Sequence, residues 1–164
     1  MPDKSYNVLF ICTGNSARSI LAEGLMNHLG RGGFKAHSAG SQPRGVVNPL
    51  ALQTLEKLRL PTDGFRSKSW EEFARLGAPH LDFVFTVCDT AAGEVCPVWP
   101  GQPMTAHWGV PDPAAFAGTA EERAREFMNV AITLKRRIEL MLALPMQRLD
   151  ALSIQREVRA IGRQ

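Results

Sequence analysis

The sequence predicts an α/β protein, a single domain built on an open parallel four-stranded sheet with helices on both faces. Two observations predict it. Short, fully apolar runs rich in strand formers, such as Val8-Leu9-Phe10-Ile11, alternate with longer segments of helical spacing. The chain has 164 residues, a length that suits one domain and buries a core without disulfide staples.

The elements follow in order. Val8 to Ile11 is a buried strand of a parallel sheet. Ser16 to Leu29 has helical spacing, with Ile20, Leu21, Leu25 and Leu29 on one stripe. Gly30, Gly32 and Gly33 stop it. Phe34 to Ser38 is the second strand. Asn48-Pro49 starts a helix, with Asn as cap and Pro at the first helical position, and Leu50, Leu52, Leu55 and Leu58 follow. Ser69-Trp70-Glu71-Glu72 has the capping-box pattern of another helix start. Leu81 to Val87 is the third strand, ended by Cys88, and Met104 to Trp108 the fourth. Thr119-Ala120-Glu121-Glu122 is a second capping box. It opens a long helix carrying Phe127, Val130, Leu134, Ile138 and Met141, with Pro145 beyond its end. Leu149, Leu152, Val158 and Ile161 mark a last amphipathic segment. The main body spans 1–144, and 145–164 is a helical extension of the same domain that serves packing or oligomer contact.

Composition narrows the function. Apolar residues make up 45% and charged residues 21%, which excludes a disordered chain, a collagen-like chain and a coiled coil. No apolar run approaches the ~20 residues of a membrane span, and the N-terminal stretch is too short for a secretory signal. Cytoplasmic residence is the expectation. Residues 121–164 hold nine Lys/Arg against six Asp/Glu, which accounts for the net charge of +3. That mild excess suits a solvated helix face, and neither a nucleic-acid nor a membrane partner is expected. Three cysteines, Cys12, Cys88 and Cys96, argue against a disulfide framework. They leave buried thiols, a metal site or redox chemistry, and their spacing lacks the short pair of a zinc site.

In a parallel sheet with right-handed crossovers, every strand's C-terminal end lies on one edge, where ligands bind. Cys12 follows the first strand, Cys88 the third and Asp112 the fourth, so three reactive residues share one rim. The segment Cys12-Thr13-Gly14-Asn15-Ser16-Ala17-Arg18-Ser19 is the most informative. It runs from a buried strand into a helix N-terminus. Gly14 and Asn15 tolerate left-handed backbone angles. Such a loop turns successive N–H groups inward as an anion nest, and a helix N-terminus adds donors. The guanidinium of Arg18 grips a tetrahedral oxyanion in bidentate fashion. A thiol beside a helix N-terminus and a cation ionises readily. Cys12 is therefore expected as a thiolate nucleophile aimed at the centre of the oxyanion, with Ser19 donating to its sulfur. The loop is no nucleotide P-loop, because it lacks Gly-Lys-Ser/Thr. Asp112, between Pro111 and Pro113, suits either a turn or a general acid.

VLFICTGNSARS resembles the active-site loop of the low-molecular-weight tyrosine phosphatase superfamily, and the chain is most similar to the arsenate reductases built on that fold. The likeness runs through residues 6–142. It includes SAG at 38–40, NPLAL at 48–52, VCDTAAGEVCPVWPG at 87–101 and HWGVPDP at 107–113. The resemblance implies that Thr13, Gly14, Asn15, Ser16, Ala17 and Arg18 bind the oxyanion and that Asp112 is the acid. It implies a cascade in which Cys12 attacks arsenate, Cys88 attacks Cys12, and Cys96 attacks Cys88. It also implies an external thiol reductant, either thioredoxin or glutathione with glutaredoxin, with no bound cofactor. Phosphatases of the superfamily carry aromatic residues after the Asp-Pro, where this chain has Ala114 and Ala115. Hydrolysis of aryl phosphates is the alternative activity. Ala17 stands where many relatives have another cysteine. Some relatives bind potassium through residues matching Asn15, Glu23, Ser38 and an Asp; Lys68 stands at or near that Asp, so no metal is expected.

Overall fold

The computed structural model describes residues 5–94, 97 and 99–164. Four strands form one parallel sheet in the order β2-β1-β3-β4, with β1 Tyr6–Ile11, β2 Phe34–Ala39, β3 Phe83–Thr86 and β4 Met104–His107. The register pairs Ile11 with Ala39 on one side and with Thr86 on the other. The C-terminal ends of β1, β2 and β3 therefore stop level, and the loops after them leave from one rim.

Among the described residues five helices accompany the sheet: α1 Arg18–Leu29, α2 Pro49–Lys57, α3 Asp89–Ala92, α4 Ala120–Leu142 and α5 Ala151–Gly162. Side chains alternate across a strand, and that period sorts the core into two faces. On one face Phe10, Phe85 and Trp108 pack together, with Phe85 and Trp108 stacked at 4.2 Å. Trp108 donates from Nε1 to the Val158 carbonyl, which ties α5 to this face. Helices α1, α4 and α5 form the layer here, joined by buried Leu21, Leu25, Phe127, Leu134, Ile138 and Val158. The opposite face carries a thinner cover. His37 meets Phe73 and Trp70 meets Trp99, so a single 3-10 turn over Trp70–Phe73 stands where a full helix was expected.

Capping explains most boundaries. Asn48 accepts from the Leu50 amide with Pro49 behind it. Thr119 and Glu122 form the reciprocal capping box of α4. The Ser69 box fails: Ser69 caps Glu71, while Glu72 turns away to hold Arg66 in a two-pronged ion pair. A helix started there loses one of its two caps and closes after a turn. The strands are shorter at the third position than the apolar run suggests, because Leu81 and Val87 are buried outside the ladder. In α5 the buried stripe is Ile154, Val158 and Ile161, whereas Leu152 faces outward. Asp150 caps Ser153 and sets that phase. Among the described residues no helix is long and apolar enough to cross a membrane.

Candidate active site

The loop between β1 and α1 is built by its carbonyls. Thr13 O accepts from the Gln42 amide, Gly14 O from the Arg44 amide and the Ser67 hydroxyl, and Ser16 O from the Asn48 amide. In a trans peptide the carbonyl and the next amide point in opposite directions. Carbonyls fastened outward to residues 42–48 therefore turn the amides of Gly14, Asn15 and Ala17 inward. This lacing gives the segment the backbone shape of a loop whose amides face one side. Asn15 takes the left-handed turn, at φ 43°; Gly14 does not. Gly40 lets the lacing strand come close: a methyl there would lie 2.4 Å from Thr13 O and 2.6 Å from Cys12 O, a distance no side chain tolerates.

Cys12 is buried at the start of this loop, with its sulfur 3.1 Å from Ser19 Oγ. Asn15 Nδ2 donates to both Ser19 Oγ and Ser38 Oγ, and Ser38 in turn donates to the Glu23 carboxylate. Asn15 Oδ1 accepts from the Lys68 amide. Burial pushes Glu23 above the usual carboxylate range, opposed by the Ser38 hydrogen bond and the Lys68 charge. Burial pushes Lys68 down. This cluster does not fit a potassium ion. Its amide oxygen is taken by Lys68 N, its Ser38 hydrogen points at Glu23, and an ammonium group already acts on the carboxylate. Among the described residues no group of three His, Cys, Asp or Glu is placed to hold a metal.

Arg18 opens α1, donates to the Val110 carbonyl at 3.2 Å and stands 3.8 Å from the Asp112 carboxylate. Asp112 also accepts from the Ala114 amide, so it caps the short turn over Pro113–Ala115. The turn-forming and acid readings of this residue are compatible. Behind it, Arg137 of α4, buried and pushed down by that burial, donates to the Gly109 carbonyl and braces the acid loop. Cys12, Gly14, Ser16, Ala17, Arg18 and Asp112 line one cavity of about 30 Å³, closed by Ala114 and Arg44. Phe116 is exposed and does not line it.

One expected residue faces elsewhere, and one lining residue was not expected. Thr13 lines the other side of the loop: its amide donates to Cys88 Sγ at 3.4 Å, not into the cavity. The missed residue is Arg44, whose guanidinium lies over Gly14, 3.1 Å from where a side chain would begin. Its only sequence signal was a basic residue in a Gly- and Pro-containing stretch. Cys88 is buried, ends the segment after β3 and also accepts from the Ala91 amide. Glu94 bonds the hydroxyls of Thr13 and Ser41. Cys96 lies outside the described residues. His107 faces this segment, paired with Asp89 at 2.7 Å and with Thr86. Trp99 and Trp108 are buried in packing contacts. A larger groove of about 650 Å³ beside β4, bordered by Val84, Thr86, Trp99, His107, Arg159 and Arg163, is lined by neither Cys12, Cys88 nor Asp112.

Both the sequence and the fold are similar to those of known proteins. An arsenate reductase of Shouchella clausii (strain KSM-K16) is 34% identical over 133 residues, covering 80% of this chain and 91% of its own. A solved structure of an arsenate reductase in the phosphate binding state superposes with a TM-score of 0.69 at 28% identity, covering 84% of this chain and 97% of that one. The thioredoxin-dependent arsenate reductase of Corynebacterium glutamicum superposes at 0.56 and 25% identity, covering 85% and 65%. The family model described as low molecular weight phosphotyrosine protein phosphatase matches residues 7–157. With that match spanning nearly the whole chain, the protein belongs to the low molecular weight phosphotyrosine protein phosphatase family.

Proposed function

We propose that this protein is an arsenate reductase that uses Cys12 as nucleophile and an internal thiol–disulfide cascade. One observation carries the reading. A second buried sulfur, Cys88, is held against Thr13, the residue next to the nucleophile. Ester hydrolysis in a cysteine-based phosphatase has no use for that sulfur; reduction of the bound oxyanion needs it. The similarity to proteins named arsenate reductase supports the same conclusion.

Arsenate enters the cradle of amides and the Arg18 fork. The Cys12 thiolate, held by Ser19, attacks arsenic, and Asp112 protonates the departing oxygen, which leaves as water. Cys88 then attacks Cys12 Sγ. The sulfur–sulfur bond forms, the sulfur–arsenic bond breaks, and its electron pair stays on arsenic, so As(V) becomes As(III) and leaves as arsenite. Cys96 attacks Cys88, frees Cys12 and leaves a Cys88–Cys96 disulfide for an external thiol. Thioredoxin is the reductant we favour, on the likeness to the thioredoxin-dependent enzyme; glutathione with glutaredoxin is the other candidate. We place the reaction in the cytoplasm, where such reductants keep thiols reduced.

Slow hydrolysis of aryl phosphates is a side activity of the same Cys12, Arg18 and Asp112. Ala114 closes the cavity where an aromatic wall would stack on an aryl ring, which disfavours that substrate. Arsenate turnover with thioredoxin, thioredoxin reductase and NADPH tests the proposal. Cys88→Ala abolishes multiple turnovers while p-nitrophenyl phosphate hydrolysis persists. Full arsenate turnover by Cys88→Ala would overturn the cascade.

A further inference from the structure

Cys88 has to lose a proton before it attacks, and its sulfur is buried. The described residues offer a way out. Thr13 Oγ1 lies 3.7 Å from Cys88 Sγ and 3.3 Å from Glu94 Oε1. A carboxylate only accepts, so the Thr13 hydrogen goes to Glu94. The Thr13 oxygen is then left to accept, and the donor on its other side is the Cys88 thiol. The direction of the relay is thus fixed by its end. The amides of Thr13 and Ala91 also donate to the sulfur, the arrangement a sulfur anion accepts.

We infer that Glu94, acting through the Thr13 hydroxyl, takes up the proton of Cys88 and so times the second step of the reaction. The inference rests on the proposed attack of Cys88 on Cys12. The Cys88 proton passes to Thr13 oxygen as the Thr13 proton passes to Glu94. The freed thiolate attacks Cys12 Sγ, and the electron pair of the sulfur–arsenic bond goes to arsenic. Glu94 returns its proton to solvent. It is a positioning residue, since it does not touch the reacting sulfurs. Ser41 fixes its carboxylate, with Oγ 2.7 Å from both oxygens. Among the described residues, titratable groups beside this chain of contacts include Cys12 on the loop and Asp89 on the same segment, the latter turned to His107. Links of this length tighten when the reacting complex forms.

The test is single-turnover formation of the Cys12–Cys88 disulfide, quenched with N-ethylmaleimide and read by mass spectrometry from pH 6 to 9. Glu94→Gln keeps the size and a hydrogen-bonding head. At neutral pH it slows the disulfide step roughly a hundredfold, and the loss shrinks steadily towards pH 9 as hydroxide removes the proton. Hydrolysis of p-nitrophenyl phosphate, which omits this step, serves as the internal control and stays within about twofold. An equal loss at every pH means that Glu94 only ties down the segment, and it overturns the inference. No loss overturns it as well. Absence of the disulfide in the unaltered protein after arsenate is a different failure, that of the arsenate reductase reading itself.

Discussion

Asn15 donates an amide hydrogen to Ser19 Oγ at 2.8 Å. That bond takes one lone pair of the hydroxyl oxygen, and towards a Cys12 thiolate, which only accepts, Ser19 is the donor, at 3.1 Å. Asn15 is held in turn by the Lys68 amide and Ser38, so the hydroxyl cannot rotate away. A hydrogen bond to a charged group is worth ~1.5–3 kcal/mol. Ser19→Ala is therefore expected to lower the alkylation rate of Cys12 by iodoacetamide about tenfold at neutral pH. Following the loss of the free thiol with time, in the variant and in the unaltered protein, checks it.

Arg44 closes the mouth of the oxyanion cavity opposite Asp112. It is exposed, so its pull on an incoming anion is screened and worth ~1 kcal/mol at most. Arg44→Ala is expected to raise KM for arsenate about fivefold with kcat nearly unchanged, and the difference fades as salt is added. Steady-state kinetics at low and high ionic strength read both effects.

Burial pushes His37 down to about 4, with repulsion from Lys35 and Lys68 adding to it. In the unfolded chain it titrates near its ordinary 6.5. Acid therefore protonates the unfolded state first. The stability owed to neutral His37 is complete above pH 6.5 and is lost as the pH falls towards 4. His37→Gln is expected to flatten that part of the thermal unfolding midpoint plotted against pH. A slope unchanged from the parent protein would show that other groups govern it.

Much of this was legible in the residues. The apolar runs Val8–Ile11 and Phe83–Phe85 and the caps Asn48 and Thr119 are local signals, and local physics decided them. The cysteine, arginine and serine of the loop were visible because their spacing is itself the chemistry. Long-range partners were not visible. Nothing in Ser69-Trp70-Glu71-Glu72 announces that Arg66 will take Glu72 and leave a 3-10 turn. Nothing in Leu152 says that Asp150 sets a phase that turns it outward. Thr13 belongs by position to the oxyanion loop, and only the approach of the segment after β3 shows it serving the second sulfur. Arg44 is the same case, brought over Gly14 by bonds that span thirty residues.

The lacing of the loop has one more consequence. Its carbonyls are fastened to residues 42–48 and to Ser67, not to the stretch that bears Cys88. In the proposed cascade, a sulfur–sulfur bond that draws that stretch inward has to loosen the contacts of Glu94 with Thr13 and Ser41. The carbonyl ties that shape the receptacle lie outside that stretch, and Thr13 is where the two meet. Resetting the enzyme then means returning one arm to its rest, with no mould to recast.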